Sequence, residues 1–534
     1  MAATPATSLT LISSGLQDAR LQPPRGNPDV HQFVKVLKKT TRWAAQWNRV
    51  EFDGSPEFGT RVSMTLPVLG ELVTGFTLVV TMPDVYSRQL EAIIASGGSS
   101  FDAPGTFLGP TYGWTNSLGH ALIQQIELEI GGAIVQTLDG RLLELLDELY
   151  ESVEAAISKN AMIKRAPSGF GPRTWLTQDP LTVQIPIPFW FSRRGVSSHA
   201  LPIEALKQDR VRVHVTFRPL SQLYYTDARV DPRTIGYRGE AIDGISGEMW
   251  ELEGGRFWQS VPGASTRVYS MNASMPAVGC PGAVLEGYTL PLRMSPVDAY
   301  ALVEYISLEE HESIALRSSE LTYHVEQYNA VSPQATQTST EIRMLIPYSN
   351  PTKELLWVAQ RPEAETYNAW FLFTRDLGPV VPPQAGPANP CRVPWWPDAT
   401  LIPSADNNWQ IVPAFQTSYS EPFEGASLLY NSYERFINEG ASVFRSVVPA
   451  LYYSKSAVHN RYVYAYKFGQ KEPRGIYGPA GAANWDKIPR KELFFTMARG
   501  RAGVKPPNMN LYVYVTNWNI FKVFGGRGGM LFNS

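Results

Sequence analysis

Cysteine is nearly absent: Cys280 and Cys391 are the only two in 534 residues, far apart and in no CxxC pair. A disulfide framework is thereby excluded, and a reducing compartment is the natural reading. Charge is also sparse. Asp, Glu, Lys and Arg make up 18% of the chain and leave a formal net charge of −2. Packaging nucleic acid by charge needs a positive excess to displace counterions, so no specific nucleic acid is expected as partner. No stretch approaches the ~20 apolar residues that span a bilayer. Met1 to Thr10 has no basic segment leading into an apolar one, so no signal peptide is expected and the chain reads as soluble and cytosol-made.

The motifs of catalysis are missing as well. GxSxG, Walker A and GxGxxG after a strand do not occur. The seven histidines (His31, His120, His199, His214, His311, His324, His459) form no HxH, HExxH or Cys/His cluster. Hence no catalytic, cofactor-binding or metal-ligating residue is assigned, no cofactor is expected, and the chain reads as a structural protein and not an enzyme.

Aromatics reach 12%, alongside 42 Gly and 42 Pro. That combination suits many strands joined by turns, because aromatic side chains fit a pleated, half-buried surface. The clearest strand is Arg210–Arg218: Val211, Val213, Val215 and Phe217 alternate with Arg210, Arg212, His214, Thr216 and Arg218. A period of two with one apolar face needs a sheet covered on one side. Further strands are expected over Arg61–Leu66, Glu71–Met82, Ala121–Ile130 and from Ala133. Later ones are expected over Ala301–Leu308, Leu321–Tyr328, Glu341–Ile346, Leu355–Ala359, Trp370–Thr374, Arg461–Phe468, Glu492–Met497 and Leu511–Thr516. One amphipathic helix is expected over Arg141–Ser158, with Leu142, Leu145, Leu146, Leu149, Val153 and Ile157 on its apolar stripe. Its Glu144, Asp147, Glu148, Glu151 and Glu154 then read as the solvated side.

The organisation expected is an N-terminal arm (1–24), a first β domain (25–225) and a second (226–534), with no sequence repeat between them. Between Arg20 and Arg49 seven basic residues face one Asp29. With Phe33, Trp43 and Trp47 interleaved, this reads as a solvated arm whose aromatics pack on its own domain, with a grip on nucleic acid or a membrane surface as the alternative. Nine prolines and Pro394-Trp-Trp-Pro397 make 376–413 a long, stiff loop. Trp395 and Trp396 there read as pins onto a sheet, with sugar stacking as the alternative. Gly525–Gly529 reads as a flexible terminal turn, and Asn272-Ala-Ser274 as a sequon without a role in the cytosol.

Several segments resemble, in order and spacing, the double jelly-roll major capsid proteins of nucleocytoplasmic large DNA viruses, the family that includes those of iridoviruses, algal viruses and amoebal giant viruses. They are Gln17-Asp-Ala-Arg20, Gly26-Asn-Pro28, Phe33-Val-Lys-Val36, Phe52–Gly59, Trp114–Ile123 and Ile126–Gly132, followed by a helix ending Leu146-Asp-Glu-Leu149. Ile187–Phe191, His199–Ile203, Val215–Leu220 and, in the second half, Lys353–Val358 continue the series. Two departures concern loops: Pro473-Arg-Gly475 is separated by an insertion from Asn484–Pro489, and the proline-rich loop is long.

The resemblance implies an all-β chain of two consecutive eight-stranded antiparallel jelly rolls with a few short helices in loops. It implies a homotrimeric, pseudo-hexagonal capsomer that tiles the icosahedral capsid of a large dsDNA virus, assembled in the host cytoplasm. The implied partners are copies of the chain, neighbouring capsomers, minor capsid and penton proteins, and an inner membrane beneath the shell. The proline-rich loop would lie at the outer end, and the basic arm beneath. The arginine face of Arg210–Arg218 would be a candidate contact with a neighbouring subunit. The alternatives are a carbohydrate-binding or carbohydrate-active jelly-roll protein, which would need converging carboxylates or a metal on one sheet face, and a minor capsid or scaffold paralogue.

Overall fold

The computed structural model describes residues 43–83, 111–165, 181–192, 199–230, 249–252, 255–259, 265–270, 295–362, 365, 370–375, 401–403, 409–411, 421–457, 462–471, 480–498 and 506–532. The expected arm (1–24), Trp395, Trp396, Asn272 and both cysteines lie outside the described residues.

The first half opens with β1 (Trp43–Glu51), β2 (Arg61–Thr65), β3 (Leu72–Met82), β4 (Thr111–Trp114) and the short helix α1 (Leu118–Leu122). There follow β5 (Ile123–Ile130), β6 (Ala133–Asp139), α2 (Gly140–Tyr150), α3 (Val153–Ile163), β7 (Leu181–Pro186) and β8 (Val211–Phe217). Next come β9 (Tyr224–Val230), β10 (Met249–Leu252), β11 (Gly255–Gln259), β12 (Ser265–Ser270) and β13 (Asp298–Leu308). Two four-stranded sheets result, β1-β13-β3-β7 and β2-β8-β5-β6; β4, β9 and β12 form a small sheet of their own, and β10 and β11 a hairpin.

After α4 (Glu310–Ser318) the pattern repeats with β14 (Leu321–Ala335), β15 (Glu341–Leu345), β16 (Thr352–Gln360), the hairpin β17 (Leu401–Pro403) and β18 (Trp409–Ile411), β19 (Phe423–Tyr430) and β20 (Tyr433–Gly440). A π-helical turn (Val443–Val447) and α5 (Val448–Tyr452) lead to β21 (Tyr464–Lys467), β22 (Lys491–Met497), β23 (Asn510–Phe524) and β24 (Arg527–Met530). The sheets are β14-β23-β16-β21, with β24 added to β23, and β15-β22-β19-β20. Leaving out the small inserted strands, both sandwiches have the order first-eighth-third-sixth in one sheet and second-seventh-fourth-fifth in the other, with every pairing antiparallel. This is the jelly-roll arrangement, twice.

Several expectations need correction. The boundary at 225/226 cuts the first sandwich, because β13 hydrogen-bonds between β1 and β3 and supplies its eighth strand. The stretch up to Arg49 is not all arm: from Trp43 it is an edge strand, held by nine paired positions on β13. Trp370–Thr374 is buried but not a strand, while β7, β19 and β20 are strands that periodicity did not reveal. The stretch 376–413 contains the β17–β18 hairpin. Gly525 and Gly526 form a tight turn, both at positive φ, that joins β23 to β24.

Core burial explains the sequence of each strand. In β8 the four apolar residues are buried and the polar ones between them are half-buried. In β16 all nine residues of Thr-Lys-Glu-Leu-Leu-Trp-Val-Ala-Gln are buried. Leu355, Trp357 and Ala359 face the interior of the second sandwich, while Leu356 and Val358 face the core that continues into the first. A sheet covered on both faces has no reason to alternate. In β14, Pro333 sits within a register irregularity of an edge strand, the place where a missing N–H costs no ladder bond.

Candidate functional site

The acidic helix is the largest departure from expectation. The single helix over Arg141–Ser158 is two, α2 and α3, broken at Glu151 and Ser152; Ser152 caps the second by accepting from Ala155 N. Far from being solvated, Glu144, Asp147 and Glu148 are buried, while Val153 and Ile157 of the supposed apolar stripe are exposed. α2 starts at glycine because a Cβ at Gly140 would lie 2.1 Å from the His120 carbonyl oxygen. Arg165, just after α3, pairs with both Glu144 and Asp147, and Lys159 reaches Asp147 at 2.6 Å. His120 on α1 lies with Nδ1 2.6 Å from Glu144 Oε2, and Ser117 Oγ donates to Glu144 at 3.1 Å. Burial raises the affinity of Asp147 for a proton, but Arg165 and Lys159 overcome it and hold the carboxyl well below the usual range. Burial pushes His120 down despite its Glu144 partner. Every charge here has a protein partner, which is what a structural lock requires and an acid–base site does not.

α2 is also one wall of the seam between the sandwiches. Its Arg141 binds Gln360 and Glu365, each at 2.9 Å, and lies over the Tyr512 ring at 3.5 Å. Tyr150, at its end, donates to Glu354 Oε2 at 2.5 Å, and the same fully buried carboxylate accepts from Tyr453 at 2.7 Å and Thr516 at 3.1 Å. Tyr514 donates to Asp139 at 2.8 Å. Lys353 pairs with Glu326, flanked by the rings of Tyr150 and Trp518. Trp190 of the first half packs on Tyr323 and Phe521 of the second. At the edges, Gln327 Nε2 donates to Val135 O at 3.0 Å and Gln136 Nε2 to Glu326 O at 3.2 Å, so β6 lies against β14.

The polar face of β8 divides its labour. His214 is 2.7 Å from Glu129 across the ladder, where it forms a hydrogen bond. Arg218 turns into the seam over Trp370 at 3.8 Å, so it is not available to a neighbouring subunit, whereas Arg210 is exposed. Among the described residues no group of three or more His, Cys, Asp or Glu is placed to hold a metal ion, and no helix is long and apolar enough to cross a membrane.

Residues 31–251 match the family model for the major capsid protein N-terminus, and residues 312–529 match that for the large eukaryotic DNA virus major capsid protein. The chain belongs to the major capsid protein family of large eukaryotic DNA viruses. The two matched segments fall on the two sandwiches. Probable capsid protein 4 of Acanthamoeba polyphaga mimivirus is 20% identical over 98% of this chain and 99% of its own length. The major capsid protein of Chrysochromulina ericina virus is 19% identical over the same shares. Among solved structures, a quasi-atomic model of the PBCV-1 virus capsid superposes with a TM-score of 0.62 at 19% identity, covering 94% of this chain and all of that one. At that identity the structural match speaks for the fold, which is the double jelly roll. As a member of the capsid family the chain has a structural role in the virion capsid, and the lattice it helps to form is built from copies of itself.

Proposed function

We propose that three copies of this chain form a pseudo-hexagonal capsomer, and that such capsomers tile the icosahedral shell of a large dsDNA virus. The observation that carries this reading is the repeated topology. Two sandwiches of identical strand order, fixed to one another by a sheet buried on both faces, make one chain a rigid pair of similar blocks, and three such pairs give a six-block ring. Minor capsid and penton proteins, and a membrane beneath the shell, are the further partners of this reading, with assembly in the host cytoplasm. Among the described residues the buried charge clusters are closed by protein partners and do not converge on an open site, which favours this reading over a carbohydrate-active one. Size-exclusion chromatography with light scattering is expected to give a particle of three times 59.4 kDa. A stable monomer at micromolar concentration, with no shell formed when partner proteins are supplied, contradicts it.

A further inference from the structure

We infer that the edge strand β20 of one copy, unpaired on its outer side among the described residues, docks on the similarly unpaired edge strand β1 of the next, repeating between copies the contact that β6 makes with β14 inside the chain. The inference rests on the trimer reading above and names the surfaces that would build it.

The two sandwiches correspond residue by residue at these edges. In the β5–β6 hairpin Ile130 pairs with Ala133, Glu129 with Ile134 and Leu128 with Gln136, leaving Val135 as a bulge. In β19–β20 Tyr430 pairs with Tyr433, Leu429 with Glu434 and Leu428 with Phe436, leaving Arg435 as the bulge. Each hairpin turns on two residues at positive φ, Gly131 and Gly132 in one, Asn431 and Ser432 in the other. Arg435 and Phe436 are thus the counterparts of Val135 and Gln136. The other edge is aligned through the ladder: Gly75–Glu304–Trp47 in the first sandwich corresponds to Leu355–Val515–Asn329 in the second. The second and third strands share their spacing, 61–65 then 72 and 341–345 then 352, which fixes that correspondence. Ala44 and Ala45 are therefore the counterparts of Glu326 and Gln327, the residues that meet β6.

Burial differs between the counterparts in the way an unfilled contact requires. Val135 and Gln136 are each 3% exposed, whereas all of β20 except Phe436 is exposed, with Tyr433 at 82% and Ile437 at 59%. Trp43 and Trp47 on β1 are 52% and 55% exposed. The helices after the hairpins tell the same story. α2 is buried in the seam, but in its counterpart, from the π turn through α5, Val447 and Leu451 are 51% and 60% exposed. Large apolar side chains on two open sheet edges are an association surface, and open edges invite pairing. The occupant is a second copy because this chain already carries the complementary edge in contact form. β6-to-β14 is a head-to-tail contact, and repeating it as β20-to-β1 continues the same sense of rotation until the ring closes.

The test uses the full chain carrying Ala45→Cys and Arg435→Cys together, bridged by a short bismaleimide, beside each single variant and the unmodified chain. Bands at two and three chain masses on a denaturing gel are expected for the pair alone. Light scattering before cross-linking separates the two ideas: a monomeric unmodified chain overturns the trimer reading and the docking with it. Trimers whose paired cysteines give no ladder beyond that of the single variants overturn the docking alone. Ile437→Glu supplies a check without a cross-link. About a tenfold weaker trimer with an unchanged far-ultraviolet circular dichroism spectrum supports the docking, and unchanged affinity counts against it.

Discussion

Arg165 does more for this fold than its position after a helix suggests. It neutralises two buried carboxylates, Glu144 and Asp147, that have no water to turn to. Removing one partner of a buried pair strands the other charge, which costs about 3–5 kcal/mol, whereas an exposed pair is worth about 0–1 kcal/mol. Arg165→Met is therefore expected to lower stability by about 3–5 kcal/mol, read from the urea unfolding midpoint. Arg49→Met, which breaks the half-exposed Arg49–Asp298 pair, should shift the midpoint little. The acid-rich spacing of α2 was visible in the sequence, but its meaning was not. An amphipathic pattern says which residues share a face; it does not say that a distant Arg165 and His120 will cover the polar one.

At the scale of elements, the hairpins show how one geometry is reached by two chemistries. A two-residue hairpin turn with both residues at positive φ suits glycine, and Gly131-Gly132 supplies it. Asn431-Ser432 adopts the same conformation with φ of 50° and 74°, where a Cβ is crowded. Ser432→Gly is expected to raise stability by about 1 kcal/mol, measured as a higher thermal midpoint without loss of trimer. The break between the expected strands Ala121–Ile130 and that from Ala133, with Gly131-Gly132 in it, is legible in the sequence, whereas the β19–β20 hairpin is not. Tyr433-Glu-Arg-Phe-Ile-Asn-Glu-Gly440 has no alternation to find, because it is an edge strand exposed on nearly every residue.

The whole molecule is coupled through the β14-β23-β16-β21 sheet. Leu356, Val358, Tyr514, Phe521 and Val523 belong to a core shared with the first sandwich. Truncation at the junction would open that face to water, at about 25 cal/mol for each Å² of apolar surface uncovered. The full chain should therefore unfold in one calorimetric transition, and residues 321–534 made alone should aggregate. Two well-separated transitions, or a soluble and monomeric second half, would show the sandwiches to be independent.

Local pattern determined what the sequence could determine. The period of two in Arg210–Arg218, the glycine turns and the aromatic content specified an all-β chain, and ordered segments such as Trp114–Ile123 carried the family resemblance. These signals survive in one dimension because a strand's faces and a turn's dihedrals are set by adjacent residues. The tertiary structure alone decided where the first sandwich ends, since β13 reaches its place between β1 and β3 across a long excursion of the chain. It alone made β16 buried on both faces, turned the acidic helix inward and revealed the repeated strand order. Each of those depends on which distant surface covers a residue, and burial and charge pairing act through space without leaving a periodic mark on the chain.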